Sequence, residues 1–187
     1  MDADDYMTYE EFGRKFFEVA VTEDRVGGAT AAIAGDAFEM GPIGQGPGKI
    51  AKVTAKVRIM EPRITRQVGE MITFAIRIPL EIDMVVDLRI DRPKFMVFGE
   101  IALRATARAA APLLLILDVE KPRSSDISIH VTSKSLRAEV VRVLGGIDAE
   151  IRRFIAAHVS GEIDSPASKT AKIIDVADRL DAAWTGI

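Results

Sequence analysis

At 187 residues and 20.4 kDa the chain fits one domain, spanning 1-187, that buries about 70 % of the surface its unfolded form exposes. A net charge of -3 and a pI near 5.5 argue against a general nucleic-acid binder, whose footprint is basic, and the absence of cysteine excludes disulfides, thiolate metal sites and cysteine nucleophiles. The content is 48 % hydrophobic but only 6 % aromatic, with mean hydropathy +0.14, so the interior is aliphatic and suits apolar packing better than the stacking of bases.

The polar start, Met1 to Met7, has no apolar run of the kind that marks a signal peptide. Thr8 and Glu11 form a capping-box pair, and Phe12, Phe16, Val19 and Ala20 share one helical face, which predicts a first helix over Tyr9 to Val21. Val26, Ala29, Thr30 and Ile33 keep helical spacing up to Gly35, after a cap or a bend at Thr22. A short strand over Phe38 to Ile43 and a glycine-proline turn follow. The run Gly44-Gln45-Gly46-Pro47-Gly48-Lys49 is not a phosphate loop: Ile43 stands where the first glycine belongs, and Ile50 replaces the Ser or Thr after the lysine.

From Ile50 the period becomes two. Val53, Ala55, Val57 and Ile59 alternate with polar residues up to Glu61-Pro62, and Ile72, Phe74, Ile76 and Ile78 form the next inward row. Pro79 marks an edge position or a bulge before a strand over Leu80 to Ile90, whose apolar row is Leu80, Ile82, Met84, Val86, Leu88 and Ile90. Its other face carries Glu81, Asp83, Asp87 and Asp91, as expected for an antiparallel sheet with one wet face. Phe95, Val97, Ile101, Leu103 and Ala105 continue the series, with Met96 and Phe98 on the opposite face, so a cover over that outer side is expected. Leu113 to Val119 is apolar almost throughout, and Ile127, Ile129 and Val131 make a last strand. With no βαβ crossover, the sheet is a meander of about six strands, curved by its prolines and glycines.

The spacing then changes to three and four. Leu136, Val140, Leu144, Ile147, Ile151, Phe154, Ile155, Val159 and Ile163 give one apolar stripe, with Gly145-Gly146 in the middle inviting a bend or close packing on the sheet. Ser165 and Pro166 open another helix, with Ile173, Val176, Ala177, Leu180 and Trp184 on its stripe. The fold class is α+β.

Chemistry is sparse. His130 and His158 have no third ligand at metal-binding spacing, so no metal or other cofactor is expected. Two carboxylates of the Leu80 strand are a formal acid and base pair, but a solvated face paired with basic neighbours is the plainer reading. No nucleophile-elbow, zincin or Ser-Lys motif is present, and an enzyme is not expected. Lys49, Lys52, Lys56, Arg58, Arg63 and Arg66 against Glu61 make a basic segment. It is either the counter-face of the acidic strand or a transient contact for anionic membrane headgroups.

Three passages, Ile33 to Ile43, Ile50 to Ile59 and Leu136 to Ile163, in this order around an aliphatic meander, resemble the tubular lipid-binding superfamily. This is the group of the bactericidal permeability-increasing and SMP-type domains and their small bacterial relatives. The resemblance implies a strongly curved antiparallel sheet wrapped around a long C-terminal helix, with lipid acyl chains held between them. Members commonly work outside the cytoplasm or at membrane contacts, whereas the N-terminus here points to a cytoplasmic protein, peripheral to the membrane at most.

The expected function is therefore non-catalytic binding or transport of a lipid or other long apolar molecule. The expected lining comprises Val53 and Val57, then Phe74, Ile76, Ile82, Met84 and Val86, then Ile101 and Leu115, and Leu144, Ile151 and Phe154 from the helix. The same pattern fits a solid core. Two alternatives stay open: a START-like ligand carrier or polyketide cyclase, whose fold puts two short helices between its first and second strands, and a homodimeric structural or interaction module.

Overall fold

The structure, a computed structural model, describes residues 6–31, 36–45, 51–88, 90–131 and 138–184. Two helices, α1 (Tyr9–Ala20) and α2 (Glu23–Ala31), precede β1 (Ala37–Gln45), β2 (Ala51–Ile59), β3 (Arg63–Val68), β4 (Ile72–Asp87), β5 (Lys94–Ala110), β6 (Leu114–Val119) and β7 (Ile127–Val131). The long helix α3 (Ala138–Asp164) is followed by α4 (Pro166–Ala171), β8 (Ile173–Asp175) and α5 (Val176–Trp184). The strands form one antiparallel sheet in the order β1-β2-β4-β5-β6-β8, with β3 also on β4 and β7 also on β5. The sheet is strongly curled into a half-barrel, with helices at both ends of the chain.

The two passages expected as separate strands around Pro79 are one strand of 16 residues, β4. Its inner row runs unbroken through Ile72, Phe74, Ile76, Ile78, Leu80, Ile82, Met84 and Val86, all buried. Each contributes about 1.5–3 kcal/mol over its exposed state. Ile59 lies opposite Leu80 and Arg63 opposite Arg77, so four steps along β2–β3 face three along β4. That extra residue is a bulge at Glu61-Pro62, and Pro79 sits across from it. The Met60 N–H donates to the Pro79 carbonyl at 2.9 Å. The N–H and C=O of a residue in an antiparallel strand face the same neighbour. The missing N–H of Pro79 therefore falls where β2 hands over to β3, and no ladder bond is lost.

The strand also stops earlier than the alternation suggests. Leu88 donates its N–H to the Asp91 carbonyl in a turn, and Ile90 is 100 % exposed. On β5 the outer Met96 and Phe98 remain 49 % and 45 % exposed, so the expected cover over that side is not there. In β1 the ladder shifts register between Met40 and Ile43, at Gly41 with φ of 107°. A β-carbon there falls 2.5 Å from the Val53 carbonyl oxygen, so both the conformation and the space require glycine.

In α1 the capping box forms as read: the Glu11 N–H donates to Thr8 Oγ1 and the Thr8 N–H to Glu11 Oε2. The buried face differs, because Phe16, Phe17 and Ala20 lean on the core while Phe12 and Val19 stay exposed. In α2, Val26 is buried; Ile33 and Gly35 lie outside the described residues, as do Gly46 to Ile50 with Lys49. Only five positions separate β1 from β2, too few for the helix pair of a START-like fold.

The expected terminal helix is divided. Ser165 caps α4, its Oγ accepting from the Ser168 N–H, but Ile173 to Asp175 leave the helix and pair with Leu114 to Ile116. The edge of β6 is thereby covered, a demand of the sheet that helical periodicity does not carry. By contrast α3 runs helically through Gly145-Gly146, and both glycines are exposed. A β-carbon at Gly145 meets nothing within 4 Å, so close packing is not its role. Gly145→Ala is therefore expected to raise stability by about 0.5–1 kcal/mol. A lowered urea midpoint would show instead that the glycine serves a bend.

Candidate functional site

The buried stripe of α3 is Ile147, Ile151, Ile155 and Val159, spaced by four residues so that one narrow face meets the sheet. The helix touches β1 at one edge and β7 at the other. Phe38 of β1 stacks on Phe154 at 6.0 Å and on His158 at 3.8 Å between ring centroids. Phe154 thus serves as an edge contact and is 41 % exposed.

At one end of the interface seven of the expected lining residues belong to the packed core: Val53, Val57, Ile82, Met84, Val86, Ile101 and Ile151 are no more than 2 % exposed. Phe74 is equally buried and borders only a polar recess near Gln67, Arg77 and Arg104. Leu144 lies in α3, its side chain outside the described part.

At the other end the packing opens. A cavity of about 200 Å³ lies between the second half of α3 and the concave face of the sheet. Its walls are Ile59, Ile76, Ile78, Leu103, Leu117, Val119, Val159 and Ile163. Asp36, Ala37, His158, Glu162, Ser168, Ala171 and Lys172 complete the lining. Asp36, Glu162 and Ala171 are exposed, which places the mouth between the start of β1, α3 and α4. Lys172 ties three elements together there: its Nζ donates to the Ile163 carbonyl, its N–H to the Ser168 carbonyl, and its own carbonyl accepts from the Leu117 N–H. The walls are apolar and the rim carries both donors and acceptors.

Of the twelve residues expected to line a ligand site, Ile76 borders this cavity, and Leu115 borders a second, larger recess. Ile59, Ile78 and Leu103 were legible as inward-facing, whereas Leu117 and Val119 stood in a run apolar almost throughout; which part of the interface stays open depends on where α3 rests. His158 reads from sequence as a surface or cap residue, and only its stacking on Phe38 reveals it at the rim.

The second recess, about 620 Å³, lies between α1, the β5–β6 turn and α5. Phe12, Gly13, Phe16 and Phe17 form one wall, residues 109–115 another, and Val176 and Leu180 the third.

On the convex face the carboxylates considered for acid and base work are held in ion pairs. Arg58 spans Glu81 and Asp83 at 3.2 Å each, Arg92 holds Asp87 at 2.8 Å, and Glu100 accepts from both Arg63 and Arg77 at 3.0 Å. Lys52 and Lys56 face Asp87 and Asp83 across the ladder. Arg66 reaches inward instead, donating to the Glu18 carbonyl at 2.8 Å. Such partly exposed pairs contribute about 0–1 kcal/mol each. Among the described residues no three His, Asp or Glu side chains gather to hold a metal, and no helix is long and apolar enough to cross a membrane. In comparisons with known proteins, no family model and no curated protein matches the chain.

The end of α3 is pinned beside the cavity by Lys121, whose Nζ meets Asp164 Oδ2 at 2.6 Å. The hydrogen bond from Lys121 holds the Asp164 carboxyl below its ordinary 3.8, against the smaller opposing effect of desolvation. A carboxyl lowered in the folded state stabilises above its unfolded value, and that contribution is lost as pH falls through the folded one. Urea midpoints are expected to drop on acidification below about pH 4, and Asp164→Asn to show a smaller drop. Equal pH slopes for the two proteins would refute a role for this pair.

Proposed function

We propose that the protein binds a lipid or another long apolar molecule without chemical conversion, seating its apolar end in the cavity beneath the second half of α3. The observation that carries this reading is an apolar cavity between the second half of α3 and the concave face of the sheet, with donors and acceptors gathered at its mouth. A dry apolar cavity of about 150 Å³ holds a benzene ring, so about 200 Å³ accommodates a short stretch of hydrocarbon. The remainder of a long ligand lies at the rim, where Lys172, His158 and Ser168 offer donors and Asp36 and Glu162 offer acceptors.

The curled sheet around a long helix adds support, since this is the arrangement implied by the resemblance to the tubular lipid-binding superfamily, and membership in that group is part of the proposal. Catalysis has less support, because the carboxylates of β4 are committed to arginine partners.

Native mass spectrometry of gently purified protein is expected to show a bound lipid, and a fluorescent fatty-acid probe to bind saturably. Ala171 is exposed at the mouth, so Ala171→Phe is expected to weaken probe binding about tenfold or more while leaving the melting temperature unchanged. Absence of both bound lipid and probe uptake overturns the proposal.

A further inference from the structure

We infer that the recess between α1, the β5–β6 turn and α5 is a separate binding site for an uncharged hydrocarbon chain. Its lining carries no charged side chain and no side-chain hydrogen-bond donor or acceptor, so nothing in it rewards a polar group for leaving water. Of the charges on α1, Arg14 pairs with Glu10 at 3.5 Å and Lys15 with Glu18 at 3.0 Å, while Glu11 is turned back onto its cap residue Thr8. Neither an acidic nor a basic partner is therefore favoured. At about 620 Å³ the recess falls within the range of small-molecule sites, about 300–1,000 Å³.

Its form shows the same preference. Gly13 interrupts α1 at a cost in helix propensity, and a β-carbon there meets nothing within 4 Å. The wall from β5 contributes Ala109, Ala110 and Ala111, so small residues on both sides leave room in the recess. A second copy of this chain is the poorer occupant, because a two-fold dimer sets a surface against itself, and a hollow facing a hollow stays unfilled.

Isothermal titration calorimetry with n-decyl maltoside below its critical micelle concentration tests the site. Emission from Trp184, the single tryptophan, one turn beyond Leu180 on α5, gives a second readout. Saturable binding with a blue shift is expected, one-to-one in the Ala171→Phe background. Gly13→Leu, whose β-carbon meets nothing within 4 Å and whose side chain adds bulk to the recess, is expected to weaken binding about tenfold or more and to leave the melting temperature the same or higher. Ala110→Leu, from the opposite wall, is expected to do the same. Ala171→Phe, which plugs the cavity under α3, is expected to leave this binding unchanged, so failure of that site and of this one are told apart. Titration with farnesol distinguishes an isoprenoid from a straight chain, and saturable binding of either supports the site. Absence of saturable binding, indifference to Gly13→Leu, or a dimer in light scattering that Gly13→Leu dissociates overturns it.

Discussion

Strand β4 constrains everything else. Along 16 residues it turns an unbroken aliphatic row inward, pairs with β2 and β3 on one side, and pairs with β5 over nearly its whole length on the other. A slip of one residue in either ladder would turn that row to water, so the register of the four central strands is fixed together. Curvature must then arise where pairing is relieved. The bulge at Glu61-Pro62 opposite Pro79 and the register shift at Gly41 supply two such places. Pro79 is tolerated in a central strand because of that coincidence, and its position marks the corner of the half-barrel.

A trough closed by one rod need not be filled evenly. The stripe of α3 advances by four residues at each contact, slightly more than one turn, so the face it presents drifts along its length. Near Ile147 and Ile151 the drift still meets the inner rows of the sheet; by His158 and Glu162 it has brought polar side chains to the boundary. The cavity lies where that drift has carried the stripe toward the polar side chains of its mouth.

The same physics explains what the residues disclosed and what they hid. The period of two from Val53 to Val131 made the antiparallel meander and its inward rows readable, because each side chain reports its own face. The capping groups Thr8 and Ser165 were readable because they act within one turn. The joining of the two rows across Pro79 was hidden, since it depends on where a partner strand bulges. The departure of Ile173 to Asp175 from helical structure was hidden too, since it answers an open edge on β6 more than fifty residues earlier. Within the candidate site, inward residues were identified but not the empty half, because a void is a property of two surfaces and a sequence reports one at a time.

Both recesses depend on the segment after α3. Leu115 and Leu117, successive members of the inner row of β6, belong one to each recess, and the segment follows the same division, Ala171 and Lys172 closing one and Val176 and Leu180 the other. Between them β8 is held by three residue pairs, flanked by the bonds from Leu117 to Lys172 and from Val176 to Leu113. Three pairs at a sheet edge, with Ile173 and Ile174 exposed, are far fewer than the ladder that holds β4 to β5. Local opening is cheapest where buried contacts are few. This short edge strand is therefore the most weakly held part of the sheet's boundary, and it is the part that the two recesses share.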